Sequence, residues 1–406
     1  MDFEPWWLII VPVLFALGWV AARVDIRQML SETKALPKSY FKGLNFLLNE
    51  EPDRAIDAFI EVAKLDPETT ELHFALGNLF RRRGEMERAI RVHKSLLARA
   101  DLPQSDREMA QHELAQDFLK AGMLDRAEAA FTNVLQTRYA VPAIKALIRI
   151  YESGHEWHNA IDAVQKLNAM ANENVPQLAH YQCELALSAL SGSDPDVVAA
   201  REYLDLAAAS ATIEKLNDHN KGTLARIAIM RAELAKKEGN PEKQCEHLMS
   251  VLESAPEYAS LIADDLLHCY ENDGNLQGGL DILKKHYFNY PSLDVFSVII
   301  KGYRKHNNYQ EAYNFIHKAL SSHPTLLGLD RAIESELNDQ NRATVDVPGI
   351  PYADLDLMRT IISRHAHRLD KYSCNNCGFE ARHYYWQCPG CNGWDTYKPR
   401  RIEEFQ

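Results

Sequence analysis

Four cysteines near one end of the chain carry its clearest chemistry. Cys374-Asn-Asn-Cys377-Gly378 and Cys388-Pro-Gly-Cys391-Asn-Gly393 form a C-x2-C-x10-C-x2-C pattern. Each C-x2-C turn, with a glycine just after or near it, points two thiolates at one centre, and two such turns complete a tetrahedral S4 site. That donor set takes one ion, zinc or iron, and the residues leave the choice open. Cys183, Cys245 and Cys269 are singletons in helical segments, where a free cysteine behaves as a small buried hydrophobe. Seven cysteines without even spacing argue against a secreted disulfide framework and for a reducing compartment.

No second reactive constellation emerges. There is no Walker loop, no Gly-rich dinucleotide turn and no G-x-S-x-G. His112-Glu-Leu-Ala-Gln116 lacks the second histidine of a zincin, and His155-Glu-Trp-His158 is one residue short of it. The chain therefore reads as a binding protein and not an enzyme. Its 45 Lys+Arg against 57 Asp+Glu give a net charge of −12, which excludes general nucleic-acid binding.

The cysteine segment is too short to hold a core alone, so a bound ion must supply folding energy. Its turns resemble those of rubredoxin, including Cys-Pro-Gly-Cys, with Tyr372, Phe379, Tyr384, Tyr385, Trp386 and Trp394 around them. The ten-residue spacer is far shorter than in electron-carrying rubredoxins and resembles that of short zinc ribbons. A structural clasp is therefore expected over electron transfer. His365 and His367, on a preceding helix, are expected at the surface and not as ligands.

Ahead of that segment, self-similarity dominates. Gly43 and Gly77, Phe46 and Phe80, and Ala55 and Ala89 are each 34 residues apart. The pattern of Leu76-Gly77, Phe80, a small residue nine further on and then a large one resembles the tetratricopeptide repeat (TPR). Small residues let two antiparallel helices approach, and large ones fill the gap between neighbouring pairs. Further units follow at Leu114–Phe131, Tyr151–Val164, Leu185–Leu204, Gly239–Pro256, Tyr270–Pro291 and Tyr303–Pro324, with a half-repeat at 326–338. The spacing stretches between 176 and 240, so boundaries there stay open. The expected fold is an all-α TPR-type solenoid over 37–340, with about eight to nine repeats.

Such a stack exposes a face built from the first helix of each unit, suited to segments of partner proteins. The register puts Tyr40, Phe74, Asn78, Arg81, Arg82, His112, Gln116, Lys120, Lys145 and Arg149 on it. Basic residues exceed acidic ones there, which suits an acidic partner segment. The competing reading places Arg81, Arg82 and Lys120 at helix C-termini, where cations favour the macrodipole.

At the other end, Trp6–Ala22 carries no charge. Seventeen helical residues reach about 25 Å, the short end of a bilayer span. Asp2 and Glu4 precede it, which argues against a signal peptide, and Arg23, Arg27, Lys34 and Lys38 follow. Positive charge stays inside, so a single-pass anchor at 1–22 is expected, with the rest facing the cytoplasm. A juxtamembrane linker at 23–36, a linker and helix at 341–370 and the cysteine domain at 371–398 complete the organisation.

Anchor, repeats and Cys374, Cys377, Cys388 and Cys391 in this order resemble the lipopolysaccharide assembly protein B family of Gram-negative bacteria over essentially the whole chain. The resemblance implies an inner-membrane adaptor that modulates lipopolysaccharide synthesis, presenting the committed lipid A deacetylase to a membrane AAA+ protease. It implies the four cysteines as ligands, other assembly proteins as partners and no catalytic residue, and leaves self-association open. A general TPR assembly chaperone or secretion scaffold is the alternative, with a rubredoxin-type electron carrier behind it.

Overall fold

The computed structural model describes residues 51–65, 70–172, 175–213, 221–337, 352–366 and 369–405, with scattered positions before residue 50. Apart from such scattered positions, the expected anchor lies outside the described residues, as do Tyr40 and His367. Among the described residues no helix is long and apolar enough to cross a membrane. The chain forms two compact units, Met1–Ile150 and Tyr151–Gln406.

The first unit contains α1 (Pro52–Leu65), α2 (Thr70–Arg83), α3 (Met86–Leu97), α4 (Gln104–Lys120) and α5 (Leu124–Asn133). Helix α6 (Ala140–Gly154) crosses the division between the units. The 34-residue register has a steric cause. A Cβ on Gly43 would lie 2.7 Å from the Phe59 ring, and one on Gly77 would lie 2.5 Å from the His93 ring. Each glycine thus admits the large side chain of the following helix. Around these contacts Ala55, Ile56, Phe59, Leu72, Leu76, Leu79, Phe80 and Ala89 form a buried core.

Helix α2 stops in a turn closed by Gly84 at φ +86°, with the Glu85 N–H donating to the Phe80 carbonyl at 2.8 Å. This 6→1 closure satisfies a carbonyl that the helix end leaves free. Met123 makes the same bond to Phe118 at 3.0 Å between α4 and α5.

The second unit continues with α7 (Trp157–Ala171), α8 (Leu178–Leu190), α9 (Val197–Ile213), α10 (Lys221–Lys237), α11 (Pro241–Ser254) and α12 (Ala259–Asn272). Then come α13 (Leu276–Asn289), α14 (Leu293–Lys305), α15 (Tyr309–Ser322), α16 (Leu326–Leu337) and α17 (Tyr352–Ala366). The 6→1 turn recurs at Glu156 to Tyr151, Asn240 to Ala235, Asn275 to Tyr270 and Asn308 to Tyr303, each at 2.9 Å. These repeating closures mark α6, α10, α12 and α14 as first helices of successive units, and the alternation of helices along the chain gives α8 and α16 the same place.

Between α8 and α9 the closure is replaced. Ser191 is extended, and the Asp196 carboxylate accepts the Ala199 N–H at 2.9 Å to start α9. The longer connection, together with the 17-residue α9, stretches the sequence period there. Beyond it Leu248, Val251, Leu266, Leu280, Leu283, Phe296, Ile299, Tyr303 and Phe315 form a continuous core.

After α17 two short antiparallel strands, β1 (Tyr372–Ser373) and β2 (Glu380–Ala381), open a small ribbon. The ribbon belongs to the second compact unit, and its Tyr384 and Trp386 pack against the core of the repeats.

Candidate metal centre

The two cysteine turns share one local geometry. In the first, the Gly378 N–H donates to the Cys374 carbonyl at 2.9 Å and Gly378 is left-handed at φ +73°. In the second, the Asn392 N–H donates to the Cys388 carbonyl at 2.8 Å, with Asn392 at φ +55°. Asparagine tolerates this region where most side chains do not, so it serves where glycine serves in the first turn.

All four Sγ atoms lie within 4.8 Å of one another. Cys374 and Cys391 sulfurs are 3.8 Å apart, and those of Cys377 and Cys388 are 3.6 Å apart. A metal–sulfur distance near 2.3 Å in a tetrahedron requires sulfur separations of about 3.8 Å. The cluster therefore fits a single ion held by Cys374, Cys377, Cys388 and Cys391. Polar hydrogens support the sulfurs: the Gly390 N–H lies 3.3 Å from Cys388 Sγ, and the Asn376 amide 3.4 Å from Cys391 Sγ.

The thiols are set against one another. Burial raises Cys374, but the Thr396 hydroxyl and the Cys377 and Asn376 N–H groups outweigh it and bring it down to about 6. The Phe379 N–H favours the Cys377 thiolate, yet desolvation and the neighbouring sulfurs push that thiol up to about 12. Several sulfurs that cannot all ionise together favour a cation among them. Cys377 is exposed, whereas Cys374 and Cys388 belong to the ribbon core with Tyr372 and Tyr397. His365, on α17, is exposed and outside the cluster.

The ribbon is seated on first helices. Trp394 stacks on His180 of α8, and its Nε1–H donates to Glu152 of α6 at 3.0 Å. The Arg226 guanidinium of α10, 2% exposed, lies 5.5 Å from the Trp386 ring and 5.4 Å from the Trp394 ring. It donates to Glu184 at 2.5 Å and to His180 Nδ1 at 3.2 Å. That second bond makes Nδ1 the acceptor, so Nε2 carries the proton toward Asp395, 3.0 Å away. Thr223 also donates to Asp395, at 3.2 Å.

Farther along, Arg401 grips Asp294 of α14 through two bonds of 2.8 and 3.0 Å, and the Tyr372 hydroxyl donates to the same carboxylate at 2.9 Å. The Ser260 hydroxyl of α12 donates to the Pro399 carbonyl at 2.8 Å. Glu403 accepts the Leu326 and Leu327 N–H groups that open α16, and Glu404 accepts the Leu293 N–H that opens α14, at 2.9 Å. Carboxylates at helix N-termini meet free donors and the positive end of the dipole.

Of the residues assigned to a partner face in the first unit, Arg82, Lys120, Lys145 and Arg149 are exposed, with Asn78 and Gln116 half-buried. Phe74 and His112 are buried instead. Phe74 packs with Leu96, Leu102 and Ala110, and His112 stacks on Tyr139. Arg81 is turned inward, to Glu113 at 2.5 Å and Asp117 at 2.8 Å. Asp117 is fully buried and lies 2.6 Å from His93 Nδ1, so one carboxylate serves two cations or donors.

The sequence named the ribbon's aromatic residues, but the helix residues that receive them escaped it, although two signals were present. Trp386 and Trp394 are more aromatic surface than so small a ribbon can enclose, and Arg226 stands in a helix whose other buried residues are mostly small or apolar.

A model described as the rubredoxin metal-binding domain matches residues 372–399, and a tetratricopeptide-repeat model matches 72–108. Lipopolysaccharide assembly protein B of Escherichia coli strain K12 is 31% identical over 97% of this chain and 97% of its own length. The protein of the same name from Haemophilus influenzae is 26% identical over 98% of each. With 31% identity to such a relative over 97% of both chains, the chain belongs to the lipopolysaccharide assembly protein B family.

Proposed function

We propose that the chain is an inner-membrane adaptor in lipopolysaccharide assembly, tethered by residues 1–22 with its repeats in the cytoplasm. It binds partner proteins and brings the committed lipid A deacetylase to a membrane AAA+ protease. The observation that carries this reading is the full-length likeness to relatives named for lipopolysaccharide assembly. Stacked helical hairpins supply the recognition surface such a role needs. A tether adds effective concentration near membrane enzymes without a new contact.

On this reading the exposed cations Arg82, Lys120 and Arg149 of the first unit receive an acidic partner segment. The test is in-cell crosslinking followed by identification of captured proteins, with deacetylase half-life followed in parallel. The expected result is co-capture of deacetylase and protease, lengthened deacetylase half-life on deletion, and weakened capture by Arg82→Glu with Arg149→Glu. An unchanged half-life on deletion overturns the adaptor role, and undiminished capture by the double variant overturns the basic face.

A further inference from the structure

In the second unit the first-helix face already has an occupant. Hydrogen bonds from the ribbon and tail fall on Glu152, His180, Thr223, Ser260, Asp294, Leu326 and Leu327, which lie on or open six successive first helices. The contacts have the character of peptide recognition. A buried guanidinium faces two indoles, a histidine and a threonine hold the carboxylate beside one of them, and two further carboxylates sit on helix N-termini. Aromatic faces over a desolvated cation and charge-assisted bonds are among the stronger contacts available to a bound segment.

The presentation of this occupant depends on the cysteine centre. Trp386 and Trp394 flank the second cysteine turn on either side. The pairing of Gln387 with Trp394, the Asp395 N–H on the Trp386 carbonyl at 3.0 Å and the Cys388 N–H on the Gly393 carbonyl at 2.8 Å hold them together. The turn they enclose is closed by Cys388 and Cys391. Two of the four buried residues in the ribbon core, Cys374 and Cys388, are themselves ligands. Little apolar packing remains to keep the two indoles aligned once the sulfurs separate.

We propose that the ribbon and tail are a built-in ligand of this face, seated only while the four sulfurs hold their ion, and that their release opens the face to a partner segment carrying a tryptophan beside a carboxylate. Recognition then occurs on the second unit, apart from the basic residues of the first, and depends on the ion.

Hydrogen–deuterium exchange on the full chain in detergent micelles, ion-loaded and stripped with a chelator, tests the lock. Stripping is expected to speed exchange about tenfold or more in α8, α10 and the first turns of α14 and α16, and to leave α2–α4 unchanged. A Trp394→Ala, Asp395→Ala variant that retains the ion is expected to show the same pattern. A labelled synthetic peptide with the sequence of residues 393–405 should then bind the variant, whose own tail no longer competes for the face, bind the loaded wild type at least tenfold more weakly, and lose binding when Arg226→Ala is added to the variant. Unchanged exchange on stripping, or a gain spread evenly through α2–α4, overturns the lock. A peptide that binds none of these chains, or binds all of them alike, overturns the site.

Discussion

The indole of Trp394 lies 12° from parallel to the imidazole of His180, with ring centres 4.8 Å apart. Its Nε1–H reaches Glu152, which also accepts the Tyr181 hydroxyl at 2.5 Å. One side chain of the ribbon thus joins two helices of the repeat stack. Trp394→Ala should cost about 3–5 kcal/mol of second-unit stability by lost packing, while Trp394→Phe, which keeps a ring but loses the donor, should cost about 1 kcal/mol. Urea denaturation of the ion-loaded chain measures both, with metal content unchanged in the Phe variant.

Gly222 lies at a close approach of α10 to the ribbon. A Cβ there would lie 2.5 Å from the Tyr258 hydroxyl and 3.0 Å from the Asp395 carboxyl. Gly222→Ala is therefore expected to lift the ribbon and cost about 1–3 kcal/mol, despite the better helix propensity of alanine. A thermal midpoint equal to or above wild type sinks this account.

In the first unit Asp117 holds both Arg81 and His93 in a site it shares with Glu113. Asp117→Ala takes one of two carboxylates from the part-buried Arg81 and removes the partner of the buried His93 Nδ1, and should destabilise the unit by about 1–3 kcal/mol. Arg81 is accordingly unsuited as a reporter of partner binding, since changing it disturbs the fold first. Exchange protection in α2–α4 is the measurement.

Burial, reinforced by Asp294 and opposed by the Leu293 N–H and Arg400, raises Glu404 from 4.5 to about 7. The folded chain then holds a proton that the unfolded chain releases. The associated stability is complete below pH 4.5 and is lost as pH rises through 7, an effect of the order of 3 kcal/mol. Glu404→Gln keeps an acceptor for Leu293 without the charge. It should match wild type near pH 4.5, exceed it above pH 7 and flatten the pH profile of unfolding.

Local spacing carried much of this architecture, for reasons the structure makes plain. The cysteines were legible because a turn and its two thiolates are set within four residues. The 34-residue period was legible because Gly43 and Gly77 each face the large residue sixteen positions later. Regularity failed where Ser191–Asp196 replaces the usual turn. It failed again at Phe74, His112 and Arg81, where the register names a face but a local partner draws each side chain inward. The ribbon's seat was invisible because Glu152, His180, Arg226 and Asp294 come from four different helices, and no spacing along the chain relates them.

The bond from Trp394 to Glu152 joins positions 242 apart. Helical hairpins stacked in series contact mainly their neighbours, so they can nucleate anywhere and fray from an end one at a time. This bond removes that freedom from the hairpins between its ends, since none can open by itself without straining a closed circuit of contacts. The second unit should consequently melt as one cooperative block, and the slow step in its refolding should be the entropic search that brings the two distant segments together.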